Sequence, residues 1–210
     1  MGIECTVIDQ DSPEEEIDKL FKPNTKAVFG ETITNPTVNI FDIEKFARIA
    51  HKHGVPLIVD NTFATPVNCR PFEWGADIVT HSTTKYMDGH AAGVGGCIVD
   101  SGNFNWMAYA DKFPGLTTPD ESYHGITYAE RFGKGAYITK ATAQLMRDLG
   151  CIQSPQNAFY LNLGLESLPL RMKQHCSSAL EVAKYLEKHE KVAWVKYPAL
   201  QSDSSYDLFK

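Results

Sequence analysis

Short apolar stretches that alternate with a single amphipathic helix constrain the fold of this chain more than any other feature. AVFGE at residues 27–31 and PLIVD at residues 56–60 are apolar runs, and the second is typical of a strand buried on both faces. Between them, Asp42 can cap a helix whose apolar residues recur at helical spacing up to Gly54. Strands joined by single helices form right-handed βαβ units, so the sequence predicts an α/β fold with a mainly parallel sheet and helices on both faces.

The next two expected strands make the sheet a mixed one. DIVTHS at residues 77–82 predicts one strand, and GCIVD at residues 96–100 predicts another. The connection between them is Gly-rich and not helical, whereas parallel neighbours usually need a helical crossover. We therefore expect the second of these strands to run antiparallel to the first.

Further elements are expected near the start of the chain. Residues 2–9 have the pattern of a strand. Ser12 is a candidate N-cap, with Pro13 at the first helical position and Glu15 completing a capping box, for a helix that ends near Phe21.

The second half of the chain predicts helices more than strands. Residues 104–133 are aromatic and turn-rich, and their length indicates a candidate functional loop that could cover a site. Helices are expected over residues 139–149 and from about Leu170 onward, and residues 192–198 predict the start of a strand.

Composition excludes several classes of protein. The chain has 210 residues, of which 43% are hydrophobic, so it can bury a substantial core. A net charge of −6 gives no basic patch for nucleic acid, and no apolar run approaches the roughly 18 residues of a membrane span. The five scattered cysteines form no CxxC pair, and the N-terminus lacks a signal-peptide pattern, so a cytoplasmic protein is expected.

The ends of two predicted strands bring unlike functional groups together. Asp60 ends one strand, and Ser82, Thr84 and Lys85 end the next. In parallel sheets, ligands gather at the carboxyl ends of the strands. Alternating hydroxyls suit a phosphate, a neutral lysine amine can bind an aldehyde covalently, and a carboxylate can hold a protonated ring nitrogen.

A structural interpretation of each residue remains open when it is considered alone. A strand-end Asp is often a cap, Ser and Thr runs form local turns, and most lysines are solvated. His51 and His53 lie two positions apart on a predicted helix and face different directions, so no metal site is expected. The combination at the sheet edge is more specific than its parts.

The combination resembles the Cys/Met-metabolism family of pyridoxal-phosphate enzymes. Three stretches carry the resemblance: ETITNP, VDNTFATP and HSTTKYMDGH. It implies the fold type I, aspartate-aminotransferase-like architecture and pyridoxal 5'-phosphate as cofactor. It also implies that Lys85 binds the cofactor covalently, Ser82 and Thr84 bind its phosphate, Asp60 pairs with its ring nitrogen, and Asn35 contacts its ring oxygen. Thr62 is a weaker candidate for a ring contact.

Within the family, FPGLTTPDESYHGITYAERFG and SPQNAFYLNLGLESLPLRMKQH look most like O-acetylhomoserine sulfhydrylases. The resemblance implies γ-replacement on O-acetyl-L-homoserine with sulfide or methanethiol, which gives homocysteine or methionine and releases acetate. Lys85 is then the general base that moves protons at Cα and Cβ. Methionine or cystathionine γ-lyase and cystathionine γ-synthase activities are the alternatives, and a homotetramer is the implied assembly.

The resemblance also implies that this chain is a fragment, because family members are roughly twice as long. Residues 1–167 then belong to a partial cofactor-binding domain and residues 168–210 to the start of a small C-terminal domain. The whole enzyme is expected to be active, and the isolated chain to be weakly active or inactive. A non-catalytic role in assembly stays open.

Overall fold

A four-stranded mixed sheet forms the centre of the molecule in the computed structural model, which describes residues 2–210. The strands follow chain order across the sheet: β1 (Val28–Glu31), β2 (Leu57–Asp60), β3 (Ile78–Ser82) and β4 (Gly96–Asp100). The first three strands are parallel, and β4 runs antiparallel to β3. This arrangement confirms the mainly parallel sheet and the direction expected for its last strand.

Short helices surround the sheet, and one long helix extends from it. In the described residues they are α1 (Glu14–Asp18), α2 (Ile43–Lys52), α3 (Thr65–Asn68), α4 (Pro114–Thr117), α5 (Tyr128–Phe132), α6 (Ala136–Lys140), α7 (Arg147–Leu149), α8 (Pro155–Glu187) and α9 (Tyr206–Phe209). A π-helical stretch, Ala141–Met146, joins α6 to α7, so the helix expected at residues 139–149 is confirmed. No helix in residues 2–210 combines the length and the apolar character needed to cross a bilayer.

Helix α2 forms where the sequence predicts it and covers one face of the sheet. The Asp42 carboxylate accepts a hydrogen bond of 2.9 Å from the Lys45 N–H at the first turn. The apolar stripe of α2, including Phe46 and Ile49, is buried in one cluster with Leu57 and other strand residues. Each fully buried side chain of this kind stabilises the fold by about 1.5–3 kcal/mol, so the stripe fixes α2 on the sheet.

The aromatic segment at residues 104–133 covers the opposite face instead of forming an open loop. Phe104, Trp106 and Tyr128 are buried in a second cluster with Ile78 of β3. Ile58 of β2 is only half-buried against this cluster, so β2 is less enclosed than its continuous apolar run predicts. Helical segments therefore lie on both faces, as the sequence predicts.

The prediction of a strand at residues 2–9 was wrong. These residues adopt no regular structure and lie along a groove of about 910 Å³ beside β1. A strand is stable only when its backbone groups pair with a neighbour, and no strand in the described residues pairs with this segment.

The helix expected from Ser12 to Phe21 is shorter and begins differently. Helix α1 contains only five residues, its N-cap position is held by Pro13, and no side chain caps it. The extended backbone of Pro13 moves the helix start past Ser12, so the capping box does not form. Only Ile17 of α1 is buried, which leaves little packing to extend the helix.

Two expectations near the end of the chain were also wrong. Helix α8 starts at Pro155 and not near Leu170, because Ser154 caps it by accepting from Asn157 N–H at 3.1 Å. The helix continues through Pro169. Residues 192–198 form no strand, since no strand in residues 2–210 is placed to pair with them.

Candidate active site

The carboxyl ends of the three parallel strands lie side by side. Glu31 at the end of β1 is in register with Asp60 at the end of β2, and Asp60 is in register with Thr80 of β3. The chain therefore leaves all three strands at the same edge of the sheet. The structure places the Asp60 segment and the lysine segment at that shared edge.

Hydrogen bonds connect the ends of β2 and β3 through Thr62. The Thr62 N–H donates to Asp60 Oδ1 at 2.9 Å, and the Ser82 N–H donates to Thr62 Oγ1 at 2.8 Å. These bonds hold the Asp60 carboxylate beside the end of β3. Thr62 is thus a structural link between two candidate residues, a role that its position in the sequence did not indicate.

Thr84 and Lys85 lie beyond the strand, in a turn. The Thr84 hydroxyl donates to Gly95 O at 3.2 Å and accepts from Gly95 N–H at 3.1 Å. Because β3 ends at Ser82, the alternation of side chains along a strand does not extend to Thr84. The Lys85 side chain is exposed and therefore open to a small molecule.

Asn35 lies four residues beyond the end of β1. It is exposed, its peptide bond to Pro36 is cis, and its N–H donates to Glu31 Oε2 at 3.0 Å. Its side chain makes no hydrogen bond within residues 2–210. The structure thus places Asn35 after the first of the three strand ends without a contact to Asp60.

His81 is a buried group at this edge, and its place beside the lysine segment in the sequence predicts a structural hydrogen bond or a contact with the loop or substrate. Its side chain is 5% exposed, and its Nδ1 has no hydrogen-bond partner in the described residues. Burial lowers the pKa of the imidazole, and the nearby Asp60 carboxylate opposes this effect only in part. His81 is therefore an uncharged neighbour of Asp60 at neutral pH.

The turn that carries Lys85 rests on the distant helix α8. Arg171 Nη1 donates to Tyr86 O at 2.8 Å, and Met87 is buried with Leu168 and Met172. Arg171 lies 86 positions from Lys85, and no local pattern signals such a tertiary contact. This contact was therefore not predicted.

The candidate residues lie on an open edge and not in the groove beside β1. That groove is lined by Glu31, Thr34 and Asn39 at its end nearest the site, and its lining does not include Asp60 or Lys85. Within residues 2–210, no three His, Cys, Asp or Glu side chains come together as a metal site would require. The candidate chemistry at this edge thus belongs to the Asp60 carboxylate, several hydroxyls and the Lys85 amine.

Comparison with known proteins agrees with this geometry. The profile of the Cys/Met metabolism PLP-dependent enzyme family matches residues 1–210. The chain belongs to this family. Members of the family use pyridoxal phosphate as cofactor, which the sequence resemblance also implied.

Two relatives indicate where the chain lies within the family. It is 49% identical over 210 residues to a homocysteine/cysteine synthase of Saccharomyces cerevisiae, and the match covers 100% of this chain and 47% of that protein. It is 44% identical over 218 residues to an O-acetyl-L-homoserine sulfhydrylase of Leptospira meyeri, with coverage of 100% and 49%. The chain spans about half the length of the curated relatives that it matches.

A solved structure shares the fold. A Campylobacter jejuni protein assigned as an O-acetylhomoserine (thiol)-lyase superposes with a TM-score of 0.87 at 37% identity, over 93% of this chain and 47% of that one. That crystal structure contains N'-pyridoxyl-lysine-5'-monophosphate. The chain thus has the fold type I, aspartate-aminotransferase-like architecture expected from the sequence.

The donor set at the edge fits pyridoxal phosphate. Asp60 Oδ2 accepts no hydrogen bond within residues 2–210 and is free for a ring N–H, while Oδ1 is held by Thr62. The Ser82 side chain is part-exposed and can donate to a phosphate, and the exposed Lys85 amine can reach an aldehyde. The residues present therefore match the three functional groups of the cofactor.

Proposed function

We propose that the protein to which this chain belongs catalyses γ-replacement on O-acetyl-L-homoserine. The C–O bond at Cγ breaks, acetate leaves, and sulfide or methanethiol forms the new C–S bond to give homocysteine or methionine. The observation that carries the proposal is the convergence of Asp60, Ser82 and an exposed Lys85 at one sheet edge. The names of the yeast and Leptospira relatives support the substrate and the sulfur chemistry.

Two residues carry the proposed chemistry. When bound, pyridoxal phosphate withdraws electrons from the substrate's Cα. Lys85 is proposed to bind the cofactor and then to act as general base, taking the proton from Cα and moving protons between Cα and Cβ. Asp60 is proposed to keep the ring nitrogen protonated, because its carboxylate is held in place by Thr62.

The remaining candidates are proposed to bind and orient. Ser82 and Thr84 are assigned to the cofactor phosphate, and the Thr84 O–H, which donates to Gly95 O at 3.2 Å in this structure, would turn from that carbonyl to donate to the phosphate. Asn35 is assigned to the ring oxygen, since its side chain is exposed beyond the end of β1. Thr62 is assigned to a ring contact in addition to its link between Asp60 and Ser82.

We further propose the organisation that the family resemblance implies. Residues 1–167 belong to the cofactor-binding domain and residues 168–210 to the start of a second domain, with the boundary inside α8. The whole protein is proposed to be a homo-oligomer, with a tetramer as the specific expectation. We propose a cytoplasmic location because a reducing compartment suits five scattered cysteines.

A chimera that supplies the remaining half from a full-length relative tests the activity. Residues 2–210 replace the matching half of the yeast relative, and the purified chimera receives pyridoxal phosphate, O-acetyl-L-homoserine and sulfide. We expect sulfide-dependent release of acetate together with homocysteine. Lys85→Ala in the same chimera is expected to remove this activity by several orders of magnitude.

Two results of this assay would contradict the proposal. Release of ammonia and a 2-oxo acid without sulfide would assign the chain to the γ-lyases instead. A folded chimera that binds the cofactor and makes no product would favour a non-catalytic role. The same assay on the isolated 210-residue chain measures how much of the activity this half retains.

A further inference from the structure

The guanidinium group of Arg171 on α8 contacts the backbone of the turn that carries Lys85. We define the lysine turn as residues 85–89, which is closed by a 2.9 Å hydrogen bond from Gly89 N–H to Lys85 O. Arg171 Nη1 donates to Tyr86 O at 2.8 Å, and Nη2 lies 3.5 Å from Met87 O. Both acceptors are the carbonyls that directly follow Lys85 in the chain.

The other side of the guanidinium is anchored in α8. Arg171 Nη2 donates to Gly164 O at 2.8 Å, and Nε donates to Ser167 Oγ at 3.0 Å. Within residues 2–210, Arg171 forms no ion pair with a carboxylate. Its four contacts are thus all with neutral acceptors, two in the helix and two in the lysine turn.

Two glycines make this close approach possible. A Cβ on Gly164 would collide with the backbone carbonyl oxygens of Met87 and Asp88. A Cβ on Gly89 would lie 2.6 Å from the Arg171 guanidinium. The helix and the turn therefore approach each other at backbone distance, and the guanidinium fills the space that remains.

Apolar packing against α8 would by itself leave the position and orientation of the lysine turn less well fixed than hydrogen bonds do. Met87 contacts the buried side chains of Leu168 and Met172, but such contacts are not directional. Hydrogen bonds from a planar guanidinium fix both the position and the orientation of the carbonyls that they reach. The direction in which the Lys85 side chain leaves the turn depends on those carbonyls.

We propose that Arg171 is a positioning residue that fixes the lysine turn so that the Lys85 amine faces the edge formed by Asp60 and Ser82. This inference rests on the proposed function of Lys85 as the residue that binds the cofactor. Arg171 itself touches neither the cofactor nor the substrate in this account. It acts through the carbonyls of Tyr86 and Met87.

Hydrogen–deuterium exchange on the chain without cofactor tests the mechanical part of the inference. In Arg171→Gln, the amides of residues 86–90 are expected to exchange roughly tenfold faster or more, because charge-assisted hydrogen bonds to the turn are lost. The amides of α2 are expected to stay unchanged. Arg171→Lys keeps the positive charge but loses the planar guanidinium, so it is expected to give an intermediate exchange rate. It replaces the Gln variant in this test if that variant does not fold.

Induced circular dichroism of the bound cofactor tests the functional part. Pyridoxal phosphate is achiral, so its visible dichroism per bound molecule reports how rigidly the chain holds it. Arg171→Gln is expected to weaken cofactor affinity by roughly tenfold and to reduce this dichroism, and Arg171→Lys is expected to restore part of it. Lys173→Gln, an exposed charge two positions along α8, is the matched control and should behave as wild type.

The outcomes separate this inference from the proposed function. If wild type binds the cofactor through Lys85 and Arg171→Gln keeps the same affinity, dichroism and exchange rates, Arg171 is not a positioning residue. If Arg171→Gln only lowers the melting temperature and the turn exchanges as before, its role is general stability and the inference is overturned. If wild type does not bind the cofactor at Lys85, exchange still tests the positioning role, which unchanged rates in Arg171→Gln would overturn, while the chimera assay tests the proposed function separately.

Discussion

At the scale of single residues, a buried carboxylate shows how the sheet depends on polar partners. Asp77 is 4% exposed, and its Oδ2 accepts from Leu57 N–H at 2.8 Å and lies 2.8 Å from His51 Nε2. It therefore connects the start of β2, the end of α2 and the residue before β3. Such a buried acceptor cannot be removed without leaving its donors unpaired.

Replacement of Asp77 is expected to destabilise the chain measurably. Asp77→Ala leaves the Leu57 N–H buried without an acceptor and should lower the free energy of unfolding by about 2 kcal/mol. Asp77→Asn keeps an oxygen for that N–H and should lose about half as much or less. Urea denaturation of both variants measures the difference, and equal losses would contradict this account of Asp77.

Asp120 predicts a pH dependence of stability in the acid range. The Lys140 ammonium at 2.6 Å and the Ser122 hydroxyl hold the pKa of the Asp120 carboxyl down at about 2. The unfolded chain titrates this group near its ordinary pKa of about 3.9, so the stabilisation is present above that pH and is lost as the pH falls towards about 2.

Asp120→Asn removes this titration and is expected to flatten that part of the stability curve. Urea midpoints measured across the acid range should fall less steeply in the variant than in wild type. Asp207→Asn is the matched control, because the Asp207 carboxyl is 96% exposed and its pair with Lys210 is at the surface. A variant curve as steep as that of wild type would show that Asp120 does not contribute.

The placement of the candidate residues could be predicted in part from the sequence. Asp60 ends one recognisable strand and Lys85 follows the next, and parallel strands place their ends at one edge. The hydrogen bond to Thr62 and the contacts of Arg171 depend on tertiary geometry, which no local pattern encodes. The partner of Thr84, Gly95, was missed for the same reason.

At the scale of elements, one of two predicted helix caps forms in the structure and the other does not. Asp42 caps α2 as expected, whereas Ser12 caps nothing. Both residues fit the same composition rule, but Pro13 displaces the start of α1 past Ser12. Whether a candidate residue caps a helix therefore depends also on the backbone conformation of the residue that follows it.

The two caps predict different mutational effects. Asp42→Ala should lower the free energy of unfolding by about 1 kcal/mol because the Lys45 N–H loses its acceptor. Ser12→Ala should change it by less than about 0.5 kcal/mol. Thermal denaturation of the two variants side by side measures both values, and an equal loss in each would contradict the assignment of the caps.

The contact between α8 and the lysine turn predicts a strong effect of one added methyl group. In Gly164→Ala, the new Cβ meets the backbone carbonyls of Met87 and Asp88, which cannot move aside as a side chain could. We expect a loss of about 1–3 kcal/mol in the free energy of unfolding, although alanine itself favours a helix.

A second glycine in a helix provides the control for this effect. Gly115 of α4 has room for a Cβ, whose nearest contact would be 3.7 Å from Lys140 Cε. Gly115→Ala should be neutral or stabilising by up to about 1 kcal/mol. If Gly164→Ala proved equally neutral in urea denaturation, the close approach of α8 to the lysine turn would be wrong.

How well the sequence predicts an element depends on whether the partner that it needs, a neighbouring strand or a capping residue, can be recognised. Strands β1 to β4 were predicted, since each has a neighbour and an apolar pattern. Residues 2–9 and 192–198 have similar patterns but no strand to pair with in the described residues, so their backbones remain irregular. The early start of α8 depends on Ser154, whose capping role was not predicted.

At the scale of the whole molecule, the chain buries two clusters around its sheet but leaves other apolar surface exposed. Phe29 on the edge strand β1 is 61% exposed, and Leu170 on α8 is 74% exposed. The chain spans about half the length of its curated relatives. The central question is therefore whether the sheet edge already binds the cofactor in this chain.

One measurement tests that claim most directly. Pyridoxal phosphate is added to the purified chain and to Lys85→Ala, the visible absorbance of the lysine-bound cofactor is recorded, and the product is reduced with borohydride and mapped by mass spectrometry. We predict a visible band in wild type, no band in Lys85→Ala, and a pyridoxyl adduct on Lys85. A folded wild type without the band, or an adduct on another lysine that persists in Lys85→Ala, would contradict cofactor binding at Lys85 in this chain.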